Sequence, residues 1–201
     1  MASTKKTVLI IGSTRGIGLA FVEHYTKAGW NVIGTARANS NTEKPIDLLI
    51  NNAGIGIPCE LETGTKDALM NQFEVNAVGP FLVTRALLPN LQLAAKANRG
   101  ASVVQLSSLL GSIGSYTNDT VDSFKRAGFG YGYSSSKAAL NMITRSLAFD
   151  LRSSGIVVVS VHPGYVDTDL TQGKATLKPT TLNPESTGKF FKPDPVTELP
   201  W

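Results

Sequence analysis

The chain reads as a single α/β domain over residues 1–201, built on a doubly wound parallel sheet. Three observations predict it. Short β-rich apolar runs alternate with helix-length stretches along most of the chain. The first run, Thr7 to Ile11 (TVLII), is apolar without alternation, as expected of a strand buried on both faces. A glycine-rich turn follows it at once and opens a helix, which is the opening of a mononucleotide-binding unit.

The elements follow in order. After TVLII and the turn Gly12-Ser13-Thr14-Arg15-Gly16-Ile17-Gly18, Leu19 to Ala28 reads as a helix with Leu19, Phe21, Val22 and Tyr25 as its apolar side and Gly29 as its stop. Asn31 to Thr35 is a second strand, and Ile46 to Ile50 a third that runs into Asn51-Asn52-Ala53-Gly54. A long helical zone spans about Lys66 to Ala97, with a bend expected at Gly79-Pro80. Ala101 to Leu106 is a strand ending in Ser107-Ser108. Gly111 to Gly132 reads as a Gly/Ser-rich surface excursion, Tyr133 to Ser153 as a helix bounded by Gly155, and Ile156 to Val161 as a strand. From Thr168 onward five prolines predict a loop-rich tail with one short strand at Gly188 to Phe191. Functional residues are expected at the carboxyl ends of the strands.

Composition narrows the function classes. Hydrophobic residues make up 42% and charged residues 17%, which fits a buried core. The net charge is +4, but no basic run exceeds Lys5-Lys6, so neither a nucleic-acid stripe nor a transcription regulator is expected. Cys59 is the sole cysteine, so no internal disulfide can form and a reducing compartment fits. Met1 to Lys6 is short and polar, unlike a secretory signal, and no apolar stretch reaches about 18 residues. The expected location is cytoplasmic, with no membrane partner.

Two groups of residues carry chemistry. The turn spacing GxxxGxG permits a tight strand-to-helix connection and close backbone approach, with the helix N-terminus receiving a pyrophosphate. Arg15 lies in that turn and Arg37 follows the second strand, where no Asp or Glu stands between Gly29 and Asn41. An arginine there suits a ribose 2′-phosphate, so NADP(H) is expected over NAD(H). The alternative is two solvated arginines. The second group is Tyr133 and Lys137, four apart and hence on one helix face. An ammonium beside a phenol lowers its pKa and prepares it to exchange a proton with a carbonyl or an alcohol. Other reactive types read as structural: His162 closes a buried strand, Cys59 is a loop or core thiol, and Asp167 and Asp169 are solvated carboxylates with no metal site expected.

Taken together, Gly12-x-x-x-Gly16-x-Gly18, Asn51-Asn52-Ala53-Gly54, Asn76 in EVNAVGPF, Ser108 in QLSSLLG, Tyr133-x-x-x-Lys137 and Pro163-Gly164-Tyr165-Val166-Asp167-Thr168 resemble the ordered motifs of a short-chain dehydrogenase/reductase (SDR), closest to its carbonyl-reductase or C-factor-like branch. The resemblance covers roughly Lys6 to Leu170 and implies a Rossmann-type fold. It implies a catalytic tetrad of Asn76, Ser108, Tyr133 and Lys137: Tyr133 as general acid, Lys137 depressing its pKa and bonding the nicotinamide ribose, Ser108 holding the substrate carbonyl, and Asn76 holding a water in a proton relay. Ser108 is chosen over Ser107 because the family pattern sets the serine three before the glycine, here Gly111. It further implies cofactor contacts from Gly12, Ser13, Thr14, Arg15, Gly16, Ile17, Gly18, Asn52, Ala53 and Gly54 on the adenosine side. Pro163, Gly164, Val166 and Thr168 would serve the nicotinamide side.

The sequence departs from that family in two consequential places. Only Ala36 to Pro45 separates the second strand from the third, where the family holds a strand and its flanking helices. One strand is therefore expected to be missing after Arg37. If the two strands flank the first, the link must cross a diagonal of about 20 Å, within reach of eight to ten extended residues as a nearly straight strap. The expected consequences are an exposed edge at the second strand and weaker cofactor affinity, lower stability, or a bare face covered in an oligomer. A second loss is expected between Leu177 and Asn183, which leaves no room for a lid helix. The leading expectation is an NAD(P)H-dependent reductase acting on a small apolar ketone, aldehyde or quinone, as monomer or homodimer. The alternative is a catalytically weak or inactive relative acting in signalling or interaction.

Overall fold

The computed structural model describes residues 5–35, 44–98, 100–164, 183–193 and 196–201. Its first strand, β1 (Thr7–Ile11), packs between β2 (Asn31–Thr35) and β3 (Leu48–Asn51), parallel to both. The sheet continues through β4 (Ala101–Leu106) and β5 (Ile156–Val161), then β6 (Phe190–Pro193), and ends in the antiparallel β7 (Val196–Glu198). Among the described residues the order is β2-β1-β3-β4-β5-β6-β7. The expected doubly wound sheet is therefore present, and among the described residues β2 is its edge strand, as the missing strand requires. The strap itself lies at residues 36–43, outside the described residues.

The core divides by strand parity, because successive side chains point to opposite faces. Leu9, Leu49, Val103 and Val158 face one way and pack with Leu91, Ala94 and Ala95 of α4 (Leu88–Asn98) and Ala148 and Leu151 of α6 (Gly130–Leu151). Val8, Ile10, Leu48 and Ile50 face the other way, against Phe21, Val22 and Tyr25 of α1 (Gly16–Lys27). Leu19, expected on the apolar side of α1, is instead exposed. β3 begins at Leu48 rather than Ile46. The N–H of Ile46 is drawn off to the Asn90 carbonyl of α4, and pairing with β1 starts only at Asp47, whose carboxylate also accepts from the Thr7 N–H at 2.7 Å.

Four elements differ from expectation. The zone from Lys66 is broken into α2 (Lys66–Phe73), a π-helical turn Glu74–Val78, α3 (Gly79–Ala86) and α4. The break comes earlier than Gly79-Pro80 because the Gly79 N–H reaches back to the Glu74 carbonyl, widening one turn. The excursion after Gly111 contains a short helix, α5 (Val121–Arg126), anchored by the buried Phe124 ring against Tyr116. α6 starts at Gly130, not Tyr133. A Cβ on Gly130 would run into the Cys59 carbonyl and one on Gly132 into the Gln72 amide, so both glycines are helix contacts, not loop. The tail strand falls at Phe190–Pro193 and gains β7 as a partner. The expected loss between Leu177 and Asn183 lies outside the described residues apart from Asn183.

Candidate active site

The glycine turn links β1 to α1 at the carboxyl edge of the sheet. Thr14, Arg15 and Gly16 form its exposed apex, Gly12 and Ile17 are half-buried, and Gly18 is buried. Gly12 has φ +78 and Gly16 φ +54, conformations that glycine alone takes without strain. A Cβ on Gly12 would lie 3.0 Å from Ala53, and Asn52 Nδ2 donates to the Gly12 carbonyl at 2.8 Å. Asn52 and Ala53 thus brace the turn from the end of β3. Ser13 turns inward, its hydroxyl facing the Thr35 carbonyl of β2, so it shapes the turn from behind. The first turn of α1 carries no acidic residue, and Arg15 at its N-cap supplies no side-chain cap. Exposed N–H groups without a competing carboxylate suit a phosphate. Arg37, Val166 and Thr168 lie outside the described residues; Pro163 and Gly164 follow β5 at the same edge of the sheet.

The four predicted catalytic residues are all buried: Asn76 0%, Lys137 4%, Ser108 8% and Tyr133 8% exposed. Tyr133 and Lys137 stand one turn apart on α6, with Lys137 Nζ 5.7 Å from the Tyr133 ring centre. Ser108, just past β4, is buried beside the Tyr133 phenol and acts on its titration. Lys137 Nζ donates to the Leu106 carbonyl at 2.7 Å. Asn76 lies in the π-helical turn. Its Oδ1 accepts from the Ile55 N–H at 2.9 Å, and its Nδ2 donates to the Ile55 carbonyl at 2.9 Å and to Ser136 Oγ at 3.0 Å. Both donors are spent within the protein. A relay water at Asn76 would therefore meet acceptors only: the second lone pair of Oδ1, and the backbone carbonyl, to which Pro80 four residues on has no N–H to give. Gly54 lines the same space: a Cβ there would sit 3.2 Å from Asn76 Oδ1 and 3.5 Å from Lys137 Nζ.

The expected lowering of the Tyr133 pKa is not what the structure gives. Burial pushes the phenol up to about 12, with the Ser108 hydroxyl acting in the lowering direction. Lys137 does not offset this, because its ammonium is itself stripped of water and burial lowers it to about 8. A testable pH dependence follows. Lys137 has a folded pKa of about 8 against an ordinary 10.5, so between those values the unfolded chain holds more protons and stability rises with pH. Tyr133 has a folded pKa of about 12 against 10, so its contribution is full below 10 and is lost as pH climbs through 12. Thermal melts should therefore rise from pH about 8 to about 10 and fall beyond. Lys137→Met should flatten the rise; a rise kept in that variant would remove Lys137 as its cause.

Ser107 and Ser108 are separated in role by their partners. Ser107 Oγ donates to Asn141 Oδ1 at 2.6 Å, whereas Ser108 Oγ accepts from the Leu110 N–H at 3.2 Å and acts on the Tyr133 phenol. Asn141 was not foreseen from the sequence, and Gly111 served there only as a mark of spacing. The signal for Asn141 was its spacing, four beyond Lys137 on the same helix face.

With this geometry described, the likeness to known proteins has a structural footing. A family profile described as short chain dehydrogenase matches residues 37–178. The chain is 39% identical over 169 residues to "C-signal" of Myxococcus xanthus, covering 78% of this chain and 93% of that protein. It is 36% identical over 135 residues to retinol dehydrogenase 12 of Homo sapiens, covering 67% of this chain and 41% of that protein. Among solved structures it resembles the NADPH-bound carbonyl reductase from chicken fatty liver, with TM-score 0.83 and 25% identity over 98% of this chain and 99% of that one. A short chain dehydrogenase/reductase from Brucella ovis with partially ordered NAD gives TM-score 0.63 and 25% identity, over 81% and 85% of the two chains. Sheet order, glycine turn, buried Ser-Tyr-Lys cluster and these matches agree: the chain belongs to the short-chain dehydrogenase/reductase family of nicotinamide-dependent oxidoreductases.

Proposed function

We propose that this chain reduces a carbonyl group of a small apolar ketone, aldehyde or quinone to an alcohol with NADPH. The observation that carries the reading is the buried cluster of Ser108, Tyr133 and Lys137, with Ser108 acting on the Tyr133 phenol and Lys137 one turn further along the same helix. Gly12 to Gly18 with Asn52 to Gly54 would hold the adenosine half of the cofactor, and Pro163, Gly164, Val166 and Thr168 the nicotinamide half, which when bound supplies the hydride. The protein does the rest. Ser108 donates a hydrogen bond to the substrate carbonyl oxygen and steadies the charge that develops there. Tyr133 gives that oxygen its proton. Its raised pKa keeps the phenol protonated until that oxygen gains charge. Lys137, whose pKa of about 8 lies near working pH, can re-protonate Tyr133 and recover a proton through a water at Asn76. Arg15 and Arg37 favour the 2′-phosphate of NADPH.

The reading is tested by titrating the chain with NADPH and NADH and following nicotinamide fluorescence and the thermal shift. Saturable NADPH binding, tighter than NADH, is expected. No NADPH response up to millimolar concentration would remove the enzyme reading. A second reading, a weakly catalytic signalling protein, is favoured by the match to "C-signal" along 93% of that relative and by β2 as the edge strand among the described residues. It gains if NADPH binds without turnover or does not bind.

A further inference from the structure

We infer that Asn141 is the positioning residue that holds Ser108 in register with Tyr133. The inference rests on the reductase reading above. Ser108 follows β4, whereas Tyr133 and Lys137 ride on α6, so two separate elements must meet within a fraction of an ångström for one carbonyl to touch both hydroxyls. Asn141, only 3% exposed, spans that junction. Its Oδ1 accepts from Ser107 Oγ at 2.6 Å, one residue before Ser108. Its Nδ2 donates to the Gly111 carbonyl at 3.1 Å, three residues after. One amide thus grips the Ser108 segment from both sides.

The backbone agrees with this. A Cβ on Gly111 would lie 2.7 Å from the carbonyl carbon and the Cβ of Lys137, so the segment lies flat on the helix with no room for a side chain. The Ser107 N–H is fixed separately to the Val161 carbonyl of β5 at 2.8 Å. The sheet sets where the segment starts; Asn141 sets where it sits on α6. Only a side chain with one acceptor and one donor satisfies both grips. Aspartate keeps the first and turns an acceptor toward the Gly111 carbonyl, while alanine loses both.

The test is a cycle of four proteins: the unaltered chain, Asn141→Ala, Ser108→Ala and the double variant, each assayed for NADPH affinity and carbonyl turnover. Asn141→Ala should lower kcat about 10²-fold, the cost of a misplaced group, with NADPH Kd changed less than about threefold. In the Ser108→Ala background the same substitution should change kcat less than about threefold, because the residue it positions is gone. If Asn141→Ala melts out, Asn141→Asp keeps the shape and should show the same pattern. Equal losses in both backgrounds, or a cofactor affinity that falls as far as kcat, would overturn this inference and leave the reductase reading standing. An unaltered chain without turnover overturns both.

Discussion

Tyr133→Phe is expected to lower carbonyl turnover by about 10²–10⁴-fold, the usual worth of a positioned general acid, while NADPH affinity stays within about twofold. The substitution removes one oxygen and little else. The ring keeps its packing against Phe129, 4.8 Å between centres, and its place beside Lys137 Nζ. Ser108 Oγ still accepts from the Leu110 N–H at 3.2 Å, so the serine segment keeps its hold. The melting temperature should move by no more than the worth of one hydrogen bond, about 1 kcal/mol. The combination is diagnostic: chemistry lost with binding and folding kept. Retained turnover would take the acid role away from Tyr133. Turnover and cofactor affinity falling together would mean that the phenol serves binding, which a residue on the substrate side of the nicotinamide should not.

Much of this fold was legible because its strands are buried on both faces and so appear as unbroken apolar runs: TVLII and IVVVSV fall where they were expected. The Tyr133–Lys137 pairing was legible because spacing along a helix survives in the sequence, whereas Asn76 and Ser108 were named only through the family resemblance. What was not legible depended on contacts from far along the chain. Gly130 and Gly132 look like loop residues, yet they let α6 lie against Cys59 and Gln72. Sequence alone cannot separate a glycine kept for its backbone angle from one kept for close approach; Gly130, with φ +57, serves both. The π-helical turn at Asn76 needed the reach of Gly79 to Glu74 to be seen. The direction of the Tyr133 shift was misjudged because a neighbouring cation is visible in the sequence and burial is not. Asn141 looked like one more polar residue on a helix, because both its partners lie 30 or more residues earlier.

Gly18→Ala carries the largest expected structural penalty, and it tests whether the turn holds the cofactor. Gly18 is the last glycine of GxxxGxG and is buried at the start of α1. Its backbone angle is ordinary, so the argument is purely one of space. A Cβ there would overlap the Gly12 carbonyl oxygen and lie 2.7 Å from Asn52 Nδ2, which donates to that same carbonyl. Neither neighbour can yield cheaply. The carbonyl belongs to a turn residue at φ +78, and Gly12 itself is packed 3.0 Å from Ala53. The helix must therefore slide away from the turn, or Asn52 must release it. Overpacking of this kind costs about 1–3 kcal/mol, a drop of about 2–12 °C in melting temperature for a chain of this size. The NADPH Kd should rise at least about tenfold, because the N–H groups at the head of α1 move with the helix. Gly100→Ala is the matched control: its nearest neighbour would be the Gly155 carbonyl at 3.8 Å, an ordinary contact, so both quantities should stay put. A Gly18→Ala chain that melts and binds NADPH like the unaltered one would show that the turn is a structural corner and that the cofactor, if held, is held elsewhere.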